Sequence, residues 1–152
     1  MLAGVVEEKH LRAKPAEDLF FAAQLAYQEE VDTKDKDQAQ QRANFEVALR
    51  QIQRFLQNFP THKNAREAWY YSAICYEKNG EKEQSIRAFD TVVKGWQKGP
   101  LVGAAAFQIA NHYYAKGEFA KAERMFVTAI TQTDNDPTRH HSRYRRALCF
   151  QK

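Results

Sequence analysis

The side chains that could do chemistry are few and scattered. Five histidines and two cysteines occur in 152 residues. His140 and His141 are neighbours, so on a helix they project about 100° apart, unlike the i, i+4 histidine pair of a metal site. Cys75 and Cys149 stand far apart in sequence, and neither belongs to a C-x-x-C pair of the zinc or redox kind. The patterns HExxH, GxSxG and GxxxxGK[ST] do not occur. Gly95 and Gly99 are too close for a phosphate-binding loop, and Gly99 and Gly103 straddle Pro100. The adjacent carboxylates Glu7–Glu8 and Glu29–Glu30 read as solvated charge. No nucleophile, base and orienting group are spaced to work together. The sequence therefore assigns no catalytic, cofactor-binding or metal-binding residue, and it reads as a non-enzyme.

Composition bounds the class. With 23 basic and 19 acidic residues the net charge is +4, and 43% apolar with 28% charged residues is the make-up of a folded, water-soluble chain. No apolar run approaches the roughly 20 residues of a bilayer-spanning helix. Four prolines and six glycines are too few for an all-β fold, which turns about every 8–12 residues. Charge is uneven: residues 1–37 hold nine acids and five bases, whereas Arg139 to Lys152 holds five bases and no acid. The apolar stretch Leu2–Val6 is too short for a secretory core. Leu2-Ala3-Gly4 is followed by Val5 where a lipid-attachment box has cysteine. Membrane association would thus need an anchor upstream of Met1.

The sequence repeats itself. AWYYSAICYEKNGEKEQSIRAFDTVV from Ala68 aligns with AAFQIANHYYAKGEFAKAERMFVTAI from Ala105, an offset of 37 residues. Ala73 falls on Ala110, Tyr76 on Tyr113, Gly80 on Gly117, Ser85 on Ala122, Phe89 on Phe126 and Pro100 on Pro137. Small residues let two helices approach closely. The glycines suit helix ends, where the left-handed conformation is needed. The prolines suit first turns, where no N–H is required. Helices are expected at about 15–31, 38–58, 64–79, 82–97, 101–116, 119–133 and 137–151, with 1–14 as an N-terminal extension. Asn64 with Glu67 suggests a capping box, and Asp136 an N-cap. The charged run Asp32 to Asp37 lies between the first two helices as a solvated loop or helix extension.

This pattern resembles the tetratricopeptide repeat family, whose usual period is 34. Trp69, Ala73, Tyr76, Gly80, Ser85, Phe89 and Val92 match its consensus positions, as do Ala106, Ala110, Tyr113, Gly117, Ala122, Phe126 and Ala129. The resemblance implies an all-α solenoid of antiparallel helix hairpins with repeats at about 15–60, 64–98 and 101–135 and a lone helix at 137–152. The period of 37 and the phrases FLQNFP and FDTVVKGW are similar to the bacterial cell-envelope branch. That branch includes the periplasmic partner of the Tol–Pal system and the lipoprotein of the outer-membrane β-barrel assembly machine. It implies a periplasmic location, or a cytoplasmic one if no signal precedes Met1. The lone last helix reads either as a cap, with Tyr144, Ala147, Leu148 and Phe150 inward and Arg143, Arg145 and Arg146 outward, or as a repeat cut short. The apolar end Cys149–Phe150 favours the second. Two full repeats separate the cysteines, which places them beyond disulfide reach and predicts free thiols.

In this family the first helix of each repeat lines a concave binding face. Phe21, Tyr70, Phe107 and Tyr144 occupy one equivalent site in successive first helices. Ile74, Glu77, Asn111, Tyr114 and Leu148 share their face. The rings either pack neighbouring helices or line an amphipathic groove for a peptide or protein segment, whose backbone Asn111 could bond. The Lys and Asn of the family's carboxylate clamp would fall on Tyr70 and Ile74, and only Arg145 fits, so no clamp is expected. Two alternatives stand beside this protein-binding reading. One is nucleic-acid or anionic-surface binding through Arg139, Arg143, Arg145, Arg146 and Lys152, whose alternating placement is that of a solvated face rather than a nucleic-acid site. The other is a docking module of a larger enzyme.

Overall fold

The computed structural model describes residues 16–21, 24–25, 27–28 and 38–152, with side chains except at 38–44. Among these residues every regular element is a helix. After the helical residues between 16 and 28 come α1 (Gln38–Asn58), α2 (Ala65–Lys78), α3 (Lys82–Gly95), α4 (Pro100–Ala115), α5 (Phe119–Gln132) and α6 (Asp136–Cys149). The chain is thus the all-α helical repeat that the 37-residue self-similarity predicts. The extension 1–14 and the run Asp32–Asp37 lie outside the described residues. The chain divides into two units, Met1–Glu81 and Lys82–Lys152.

The repeat is exact at the level of backbone hydrogen bonds. After α2, the N–H groups of Asn79, Gly80 and Glu81 donate to the carbonyls of Cys75, Glu77 and Tyr76 at 3.0, 3.0 and 2.9 Å. After α4, those of Lys116, Gly117 and Glu118 donate to His112, Tyr114 and Tyr113 at 3.2, 3.0 and 2.9 Å. Every donor and acceptor lies 37 residues from its counterpart. Gly80 and Gly117 make both turns possible with φ of 80° and 78°, where a side chain would clash with its own carbonyl. Pro100 and Pro137 open α4 and α6 in their first turns.

Two expected caps are corrected. Asn64 makes no side-chain cap bond, because its backbone (φ −94°, ψ 7°) is not extended as a capping residue requires. Its N–H instead donates to His62 Nδ1 at 3.1 Å. At α6 the cap is Asn135, whose side chain accepts from the Thr138 N–H at 2.9 Å. Asp136 is already inside the helix, with its carboxylate 2.7 Å from Arg139.

In the first unit α1 packs on α2. Phe55 is fully buried and meets the rings of Phe20, Phe59 and His62 at 5.3, 5.9 and 5.4 Å. In the second unit α4 packs on both α3 and α5, and α6 on α5. Here small residues dominate: Gly103, Ala105, Ala106, Ala110, Ala122 and Ala129 are buried around Phe126. A Cβ added to Gly103 would lie 2.6 Å from the Thr133 backbone nitrogen, so α4 and the end of α5 are in backbone contact.

The last helix does not adopt the cap orientation. Tyr144, Ala147 and Phe150 are exposed, while Arg145 and Arg146 are half-buried and Ser142 is fully buried. The reason is register: Ser142 occupies the place of Ala68 and Ala105, which face neighbouring helices.

Candidate functional site

In the second unit, Phe107, Asn111 and Tyr114 fall at i, i+4 and i+7 on α4 and so form one stripe. α6 meets this stripe. His141 stands edge-on to Phe107 at 5.5 Å, and the Arg145 guanidinium lies over the Tyr114 ring at 5.2 Å. Arg145 Nε donates to His141 Nε2 at 2.9 Å, which links the two contacts and requires that nitrogen to be unprotonated. Phe107 also meets Phe126 at 6.5 Å, and Tyr114 meets Phe119 at 5.3 Å, so both rings are anchored from behind by α5. Between them the Asn111 side-chain oxygen is buried and accepts no hydrogen bond. A buried unpaired amide oxygen costs about 1–3 kcal/mol, which a bound N–H would recover. Leu148 is half-buried, and Tyr144 is 65% exposed.

In the first unit, Tyr70 and Ile74 are half-buried and Glu77 is exposed. Tyr70 stands edge-on to Tyr71 at 6.4 Å. Burial, then the Glu77 carboxylate, pushes the Tyr70 hydroxyl above its ordinary range. Phe21 is 64% exposed. Sequence reasoning missed the rings that join helices here. Tyr27 stacks on Tyr71 at 4.9 Å and meets Phe45 at 6.3 Å, and burial, with neighbouring Cys75 and tyrosines, pushes its hydroxyl up to about 12. Tyr71 follows Tyr70, and the adjacent pair YY was the available signal. His141 was missed in the second unit because the frame was followed through Tyr144 alone.

The basic residues near the end of the chain have separate partners. Arg139 donates to the carbonyls of Ile130 and Thr133 at the end of α5, where the helix dipole favours a cation, and pairs with Asp136. Arg146 pairs with Glu123 at 2.8 Å, and Lys152 lies over Phe119. Of the five, Arg143 alone has no partner among the described residues.

Both cysteines are free; Cys75 is buried and Cys149 half-buried. No group of three or more metal-ligating side chains gathers among the described residues. No described helix is long and apolar enough to cross a membrane.

No curated protein matches the chain. The tetratricopeptide repeat family model matches residues 37–100, the stretch that carries α1, α2 and α3. The chain is an all-α helical repeat protein, similar over residues 37–100 to tetratricopeptide repeats, and its 37-residue frame continues beyond that stretch into α6.

Proposed function

We propose that the chain is a protein-interaction module that holds a peptide segment against the α4 stripe Phe107, Asn111 and Tyr114, flanked by Tyr144 and Leu148 of α6. Tetratricopeptide repeats generally mediate protein–protein interaction and are typically non-catalytic, which supports the general class. The observation that carries the specific reading is the unpaired, buried Asn111 oxygen between two anchored rings. The rings offer contact area at low entropic cost, and the amide fixes the register of a peptide N–H. In the first unit, Tyr70, Ile74, Glu77 and Phe21 are the equivalent candidates.

The test is selection of peptides from a displayed library on the full chain. Selected peptides should bind Asn111→Ala about tenfold more weakly, for one hydrogen bond lost, and Phe107→Ala more weakly still. Circular dichroism should show helicity retained. Peptides that bind both variants as tightly as the wild type would overturn the reading, as would failure to enrich any. The reading extends to the bacterial envelope on the resemblance of FLQNFP and FDTVVKGW alone. Recovery of the native protein solely from the cytoplasmic fraction would remove that part.

A further inference from the structure

A second surface lies on another side of α6. On α4, the stripe Gly103, Ala106, Ala110 and Tyr113 is the side that α5 covers. Gly103 lies against Gln132 and Thr133, and Ala110 against Ala122 and Phe126. Gly103, Ala106 and Ala110 are all buried. Thirty-seven residues on, the same stripe of α6 is His140, Arg143, Ala147 and Phe150. All four are exposed, Phe150 by 70%. A cavity of about 530 Å³ opens beside the stripe, lined by Phe119, Ala120, Glu123, Arg124, Cys149 and Phe150.

The repeat states what geometry fits this side: a helix antiparallel to α6, with a small residue where Ala122 meets Ala110 and an aromatic residue one turn later. The departures from the repeat state the chemistry. Arg143 replaces Ala106 and His140 replaces Gly103, so the occupant must bring acceptors to that end. From Phe119 to Lys152 there are seven basic residues and three acidic. Two of those acids, Glu123 and Asp136, are already paired with Arg146 and Arg139. A second copy docking α6 on α6 would bring like charges together around Arg143, which is costly.

We propose that this side of α6 docks an amphipathic helix of a partner protein, with acidic side chains against Arg143, a small residue on Ala147 and an apolar side chain in the cavity beside Phe150. The site is distinct from the Asn111 stripe and does not rest on it. The probes are two labelled synthetic peptides of about 18 residues, enough for a helix once docked. Both carry Ala, Phe and Ala at the spacing of Ala122, Phe126 and Ala129, one with Glu and the other with Lys at its polar positions. By fluorescence anisotropy with the full chain, the Glu peptide should bind on the order of 10 µM and the Lys peptide at least tenfold more weakly. Ala147→Arg should weaken the Glu peptide at least tenfold, and Arg143→Glu should reverse the preference. Both sites are exposed, and thermal melts check that each variant folds. Asn111→Ala should leave Glu-peptide binding unchanged. Equal binding of the two peptides, no binding of the Glu peptide, or indifference to Ala147→Arg would overturn the proposal. So would a wild-type dimer, seen by sedimentation, that Ala147→Arg dissociates, because a second copy would then occupy the side.

Discussion

The two units keep the same repeat frame with opposite packing materials. The first unit is filled by rings: Phe20, Phe55, Phe59 and His62 around one centre, and Tyr27, Phe45, Tyr70 and Tyr71 around another. The second is filled by alanines and a glycine around Phe126. Rings span wide gaps between helices, whereas small residues let helix backbones touch. The frame therefore constrains where helices turn and which face is inward, but not how the inward face is filled. It follows that the first unit should be sensitive to truncation and the second to enlargement.

Truncation gives the largest effect. Phe55→Ala should cost about 3–5 kcal/mol in urea denaturation, because three surrounding rings lose their common partner. A cost below about 1 kcal/mol would show that the first unit is not ring-centred. Enlargement comes next. Gly103→Ala places a methyl group against the Thr133 backbone, which cannot turn aside as a side chain can. The expected cost is about 1–3 kcal/mol, carried by separation of α4 from α5. Gly95→Ala is the control: nothing lies within 4 Å of its added carbon, and it should be neutral or stabilising by up to about 1 kcal/mol.

Alkali should separate the units in the same sense. Burial pushes the Cys75 thiol up to about 12 from 9.0, and the Tyr27 hydroxyl reaches about 12 from 10.0. Each group therefore holds its proton more tightly folded than unfolded. Their contribution is complete below about pH 9 and is lost as pH rises toward 12, since the unfolded chain ionises first. Urea midpoints should fall between pH 8.5 and 10.5, and by less in Cys75→Ala with Tyr27→Phe. An equal fall in wild type and double variant would place the sensitivity elsewhere. At neutral pH, Cys149 should react with a thiol reagent before the fully buried Cys75.

The architecture was legible because its signals are backbone signals. Gly80 and Gly117 need positive φ, Pro100 and Pro137 need a first turn, and the alanines need a neighbour at close range. Each demand fixes a residue type at a position. The candidate site was less legible because its contacts depend on side-chain direction. Equivalence to Tyr70 placed Phe107 on the right face of α4, but nothing in the spacing announced that His141 would stand against it or that Arg145 would cover Tyr114. Nor does the frame alone show that the Asn111 oxygen is buried without a donor.

Capping is the smallest contrast and the cleanest. Sequence favours Asn64 as much as Asn135, since both precede a helix and both are good capping residues. The structure separates them by backbone conformation: Asn135 is extended (φ −94°, ψ 111°) and accepts from Thr138, whereas Asn64 (ψ 7°) does not cap. Asn135→Ala should therefore cost about 0.5–2 kcal/mol by loss of a cap, and Asn64→Ala should change stability by no more than about 0.5 kcal/mol. Because Asn135 opens α6, its loss should also raise amide hydrogen exchange at Thr138 and Arg139 while leaving α2 unchanged. Equal costs at the two sites would mean that residue type, and not the extended backbone before α6, decides the cap.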